Sequence, residues 1–146
     1  KDIFAPSCMS CFDYVNSLAD IVVGYMGAPY PWQWIVVRND TGKEMLELVK
    51  DQLETQPVMS EGNRKPAVQQ GIKAYDDAVT LPMWVAQLMG VVIDRIGPKG
   101  LEYGRFSIDS HFARNYLYVK RNHSEKLAAH VPEFAKQIVA QYKLPE

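Results

Sequence analysis

Asp20-Ile21-Val22-Val23-Gly24-Tyr25-Met26-Gly27 is the stretch on which the fold class turns. Its β-branched centre, closed by glycine, reads as a buried strand. Ala28-Pro29-Tyr30-Pro31 breaks it, and Trp32 to Arg38, centred on Ile35, Val36 and Val37, forms a second strand candidate. Asn39-Asp40-Thr41-Gly42 is a turn. Thr41-Gly42-Lys43-Glu44 then fits an S/T-x-x-E capping box, in which hydroxyl and carboxylate each satisfy an unpaired backbone N–H. Met45, Leu46, Leu48, Val49 and Leu53 follow at helical spacing, which predicts a helix over 42–54. Thr55 to Met59 reads as a short third strand.

On the N-terminal side, residues 12–20 are expected to form a short helix. On the other side, residues 60–80 are polar and carry Gly62, Pro66 and Gly71, so they read as loop. Leu81 to Ile96, bounded by Pro82 and by Gly97-Pro98, is a helix apolar on most of its circumference, either central or covered by a partner. Ile108, Phe112, Tyr116 and Val119 step by four, four and three, which predicts a helix over 107–120. Pro132 starts a last helix carrying Phe134, Ile138 and Tyr142. No internal repeat appears. The expected class is α+β in one domain over 1–146: a small mixed sheet near the N-terminal half with helices packed on it, and a mainly helical C-terminal half.

The composition agrees with a globular chain. In 146 residues, 47% are hydrophobic and 23% charged, enough for a buried core and unlike a collagenous, disordered or disulfide-stapled chain. A net charge of -1 and a pI near 6.3 argue against broad electrostatic capture of nucleic acid or anionic lipid. The longest apolar run, Leu81 to Ile93, is interrupted by Gln87 and falls short of the roughly 20 residues that a spanning helix needs. No signal-peptide pattern opens the chain. The reading is a soluble protein that could lie against a membrane.

Both cysteines, Cys8 and Cys11, form a C-x-x-C pair at the start of the chain. A thioredoxin-like motif places such a pair after a strand, and here the strand comes after the pair. A zinc or iron–sulfur site needs four ligands as a rule, so the others would come from another polypeptide segment. A plain structural pair is the third reading, and spacing leaves all of them open.

The longer segment narrows the choice. Cys8-Met9-Ser10-Cys11-Phe12-Asp13-Tyr14, continuing through Leu18-Ala19-Asp20-Ile21 to Gly24 and Gly27, resembles the C-x-x-C-x-D-[FY]…LADI-x-x-G-x-x-G signature of the beta-subunit family of deazaflavin-coenzyme-reducing hydrogenases and dehydrogenases. Ile96-Gly97-Pro98-Lys99-Gly100-Leu101-Glu102-Tyr103 and Asp109 to Val119 resemble its photosynthetic, chlorophyll-metabolising branch. The resemblance implies an enzyme with FAD and a 4Fe-4S cluster that takes single electrons from reduced ferredoxin and delivers a hydride equivalent to a chlorophyll-type tetrapyrrole. The implied reaction is reduction of the 8-vinyl group of divinyl (proto)chlorophyllide to ethyl. Reduction of 7-hydroxymethyl chlorophyll a is the near alternative, a deazaflavin-linked oxidoreductase the third, and an inert module bound to a larger assembly the reading from another class. Members are several hundred residues long with more cysteines upstream. The resemblance thus implies a C-terminal fragment, inactive alone, in which Cys8 and Cys11 ligate a cluster whose other ligands lie upstream. The implied setting is a cyanobacterial cytoplasm or plastid stroma, at the thylakoid surface or free of it, with a homo-oligomer compatible.

Vinyl reduction takes up two electrons and two protons, so a proton donor is needed. His111, Asp109, Tyr116 and Asp13 are the candidates, with His111 and Asp109 first. Arg114 is three residues past His111 and could hold a tetrapyrrole carboxylate or a cofactor on the same face, or simply be solvated. Asp13 either caps a following helix or touches a cofactor. Gly24 and Gly27 either let a cofactor approach the backbone or merely end a strand. Trp32, Trp34 and Trp84 could pack on a macrocycle or fill the core. His123 and His130 read as surface residues with no role.

Overall fold

The computed structural model describes residues 5–76 and 82–145. Its order is α1 (Pro6–Met9), β1 (Ile21–Gly24), β2 (Trp34–Val37), α2 (Asp40–Glu47), a 3-10 turn (Lys50–Gln52), β3 (Ser60–Glu61), α3 (Arg64–Asp76), α4 (Met83–Ile96), β4 (Lys99–Gly100), α5 (Leu101–Asn122), a second 3-10 turn (Ser124–Lys126), α6 (Leu127–His130) and α7 (Glu133–Val139). The class is α+β with a helical C-terminal half, as the sequence predicts. Two antiparallel two-stranded ladders replace the single mixed sheet of the sequence reading: β1 on β2, with Ile21 opposite Val37 and Gly24 opposite Trp34, and β3 on β4.

Everything is hung on α5, whose 22 residues bury two faces. Phe112 and Val119 pack with Phe12, Val131, Ala135 and Val139 on one side. Ala113 and Leu117 pack with Val68, Ile72 and Tyr142 on the other. The predicted 107–120 helix is therefore correct in its stripe and too short at its start. Gly97-Pro98 ends α4, and one turn later Gly100, with φ 61, opens α5.

Several local expectations are corrected. Residues 60–80 are not loop, because α3 runs through Pro66 and Gly71. Pro66 falls in the first turn, where the missing N–H costs nothing, and Gly71 faces open space. The helix expected over 12–20 is absent: Asp13 Oδ1 accepts from the Ser17 amide (2.6 Å) and hydroxyl (2.8 Å), and Asn16 sits at φ 51. The Thr41 capping box is not used. Asn39 Oδ1 accepts from the Gly42 amide at 2.9 Å, so the helix starts two residues earlier. It also stops at Glu47 instead of 54, and residues 55–59 form no strand.

The apolar helix is the largest departure in packing. Leu81 lies outside the described residues, but Met83, Trp84, Leu88, Val91, Val92 and Ile96 of α4 are all exposed, Trp84 at 68%. It is not central. Among the described residues no helix is long and apolar enough to cross a membrane.

A buried ion-pair network ties α3 to α5. Arg64 donates from Nε to Asp109 Oδ2 (2.7 Å) and from its guanidinium and backbone to Glu102 (3.0 and 3.1 Å), while the Tyr142 hydroxyl donates to the same Asp109 oxygen. Arg64→Leu removes the main partner of two buried carboxylates, leaving Asp109 with the Tyr142 hydroxyl and Glu102 with Arg105 at 3.7 Å, and should cost roughly 3–5 kcal/mol in denaturant unfolding. Burial pushes the Glu102 carboxyl up, but the amide and guanidinium of Arg64 outweigh it and hold the group below its ordinary 4.5. The unfolded chain therefore takes up this proton first. The contribution of Glu102 to stability is full above about pH 4.5 and is lost as pH falls through its lower folded value. Glu102→Gln should flatten that part of the acid limb in a stability-against-pH series.

Candidate functional site

The C-x-x-C segment lies across the first of the two faces of α5. Cys8 sits in the single turn α1, Cys11 just after it, and both are free, exposed thiols. Phe12, the next residue, is buried, its ring 6.0 Å from Phe112 and 5.9 Å from His130. That anchor turns the preceding peptides inward and the sulfurs outward. The Asp13 amide donates to Cys11 Sγ at 3.4 Å.

Three side chains hold the inward carbonyls. Asn115 Nδ2 donates to Cys8 O at 3.0 Å and to Cys11 O at 2.6 Å. His111 Nε2 lies 3.2 Å from Cys11 O, and His130 Nε2 lies 2.8 Å from Ser10 O. Carbonyl oxygens only accept, so His130 meets Ser10 with a proton on Nε2; His111 Nε2 also lies 3.0 Å from Asn115 Nδ2, which only donates, so that ring either donates to Cys11 O or accepts from Asn115. Burial lowers the His111 pKa, the Cys11 carbonyl works against that, and the charge of Arg114 adds to the lowering, so the neutral ring is favoured. The ring also stacks on Tyr14 (centroids 4.2 Å apart, planes 16° apart), whose hydroxyl is 2.9 Å from Ser107 Oγ.

The structure thus brings Cys8, Cys11 and His111 together and separates them from Asp109. Two residues apart on a helix point in different directions, and Asp109 faces α3 in the Arg64 network. Asp13 is exposed and its carboxylate closes the local turn with Ser17; these bonds, the amide first, hold it below its ordinary value against the small effect of burial, with Arg38 adding to the lowering. Arg114 is exposed on α5 next to Asn115, and Tyr116 is half-buried against the Phe112 cluster. His130 has a carbonyl contact that the sequence reading does not assign, and His123 is exposed. Sequence reasoning misses Asn115 as well, although its spacing of four from His111 marks a shared face.

Gly24 and Gly27 differ. A Cβ on Gly24 would meet nothing within 4 Å. Gly27 has φ 78, and a Cβ there would sit 2.2 Å from the Gly100 carbonyl oxygen. What approaches the Gly27 backbone closely is therefore the start of α5.

Between the β1–β2 hairpin and helices α5 and α7 is an apolar cleft of about 570 Å³, lined by Val22, Val36, Trp34, Ile108 and Phe134, with Arg38 at its polar side. The indole N–H of Trp34 is buried without a partner. Trp32 lines a smaller cavity on the other side of the hairpin, and Trp84 is on neither. Among the described residues no three His, Cys, Asp or Glu side chains converge as a metal site would require. The two thiols can supply one side of a cluster, and the apolar lining of the cleft suits a flat ring.

Residues 1–61 match the family model for the C-terminal region of the beta subunit of coenzyme F420 hydrogenase/dehydrogenase. This is the family that the cysteine segment resembles. The chain is 84% identical over 146 residues to an uncharacterized protein of Nostoc sp., covering 100% of this chain and 37% of that protein. It is 47% identical over 157 residues to the chloroplastic 7-hydroxymethyl chlorophyll a reductase of Oryza sativa subsp. japonica, covering 97% of this chain and 33% of that one. A stretch of 55 residues is 36% identical to the beta subunit of the coenzyme F420 hydrogenase of Methanosarcina barkeri, covering 36% of this chain and 19% of that one. The chain spans about a third of the length of the first two relatives.

The Gly27 geometry gives a test of how the signature glycines act. Gly27→Ala forces both a left-handed backbone and a 2.2 Å clash and should lower stability by at least about 1–3 kcal/mol, whereas Gly24→Ala should leave thermal unfolding within about 0.5 kcal/mol.

Proposed function

We propose that this chain is the C-terminal segment of an oxidoreductase of chlorophyll metabolism. In this reading it acts on a chlorophyll-type tetrapyrrole and reduces the 8-vinyl group of divinyl (proto)chlorophyllide to ethyl. The observation that supports an oxidoreductase of chlorophyll metabolism is 47% identity with a chlorophyll reductase along nearly the whole chain, on a backbone that presents both signature thiols outward.

Cys8 and Cys11 are the residues that would hold one side of a 4Fe-4S cluster, with the remaining ligands from other parts of the full-length protein. The Asp13 amide adds a hydrogen bond to one of these sulfurs. The apolar hairpin cleft, with Arg38 among its lining residues, is the part of this chain that we assign to the flat ring of FAD. When bound, FAD gathers single electrons, here from reduced ferredoxin, for two-electron delivery.

The chain's own residues bind and orient. Exposed Arg114 is placed to pair with a substrate carboxylate beside the cysteine loop. Of the two first-choice proton donors His111 is the one at the cysteine loop, since Asp109 is engaged by Arg64 and Tyr142, and it would donate from its imidazolium form. Reduction of 7-hydroxymethyl chlorophyll a is the second reading, favoured by the activity that the rice relative is named for.

The test is a full-length protein containing this chain, supplied with reduced ferredoxin and either divinyl protochlorophyllide or 7-hydroxymethyl chlorophyll a. The expected product is the ethyl pigment. Cys8→Ser and Cys11→Ser should each lower iron per chain and take turnover to a small fraction. Reduction of the hydroxymethyl pigment alone would move the assignment to the second reading. No turnover of either pigment by protein carrying its flavin and iron would refute both.

A further inference from the structure

We propose that Asn115 is a positioning residue for the cysteine pair, with His130 as its second anchor. Together they set the separation of the Cys8 and Cys11 thiols before any metal arrives. The inference rests on the reading that these thiols ligate metal and is independent of which pigment is reduced.

The cysteine loop has little order of its own. α1 is four residues long, and a helix that short is not stable by itself. Both thiols are exposed, so the sulfurs are not fixed by packing. What fixes the loop comes from elsewhere in the chain. Asn115 Nδ2 lies within hydrogen-bond reach of the carbonyls of the two residues that carry the thiols, and of His111 Nε2 one turn back on its own helix. A single nitrogen atom thereby sets the distance between those two peptide units.

Asn115 is itself only 3% exposed and stands on the buried helix α5, so its position is that of the core. His130, from the end of α6, holds the intervening Ser10 carbonyl at 2.8 Å. It also backs the Phe12 ring, which follows Cys11 directly. The loop is thus pinned at three points by two separate elements. Outer contacts of this kind orient ligands and commonly change metal affinity by about 10–100-fold. They also remove the ordering cost that a free C-x-x-C peptide meets on chelation.

The test uses the protein, reduced and free of oxygen, with Co²⁺ alone as the probe. Its thiolate-to-cobalt absorption reports how many sulfurs bind each ion. The unchanged protein should bind Co²⁺ through both thiolates. Asn115→Ala and Asn115→Asp should weaken that binding at least about tenfold and reduce the band per bound ion toward that of one thiolate. Far-UV circular dichroism should show the helices retained. His130→Ala, at an exposed site with little risk to folding, should weaken binding several-fold and decides the matter alone if the Asn115 variants do not fold. Unchanged affinity and band in His130→Ala and in any folded Asn115 variant would overturn the proposal, as would a parent protein with no two-thiolate band. Failure of the chlorophyll reading appears elsewhere, in pigment turnover by the full-length protein, and leaves the cobalt result standing.

Discussion

Helix α5 has to bury both of its long faces, and the rest of the molecule is arranged to let it. Phe112 and Val119 need one cover, Ala113 and Leu117 another, and Glu102 and Asp109 between them need a cation. α3 answers two of these needs together, since Val68 and Ile72 cover the second face while Arg64 pairs with both carboxylates. The first face is covered by α7 and by Phe12. That last contact is the link between fold and chemistry, because Phe12 is the residue after Cys11 and cannot be buried without laying the cysteine loop on α5.

The same helix therefore does two unlike things at neighbouring positions. Asp109 faces the ion-pair network, where a carboxylate is held by salt bridging and burial. His111 and Asn115, one turn apart, face the cysteine loop, where neutral donors satisfy backbone carbonyls. Carbonyls accept without bringing net charge, so neutral partners fix the loop and add no buried charge beside the thiols.

α4 is the part of the molecule that its own core does not explain. Trp84, Leu88, Val91 and Val92 fall on one face at spacings of four, three and one, and they face outward. The sequence signalled an apolar helix and the helix is there. For these residues burial did not follow from apolarity: among the described residues, neither cover of α5 uses α4.

The sequence by itself determined the α+β class, the strands β1 and β2, the apolar stripe of α5 and the cysteine pair with its family signature. These are local signals: β-branched runs, residues recurring at helical spacing, and a spacing of cysteines, each complete within a few residues. It misjudged α3, where Pro66 and Gly71 read as breakers although one sits in a first turn and the other faces space. It also set the α2 cap at Thr41, because Asn39 is the better placed oxygen once its amide donates to Asp20 at 2.6 Å. Only the tertiary structure decided which way Asp109 and His111 point, that Arg64 is the partner of Glu102, and that Asn115 and His130 hold the cysteine loop. Those contacts join residues from 38 to 120 positions apart. Their partners are chosen by how α5 rolls against α3 and α7, which is settled by the packing of whole faces and leaves no mark on any short window of sequence.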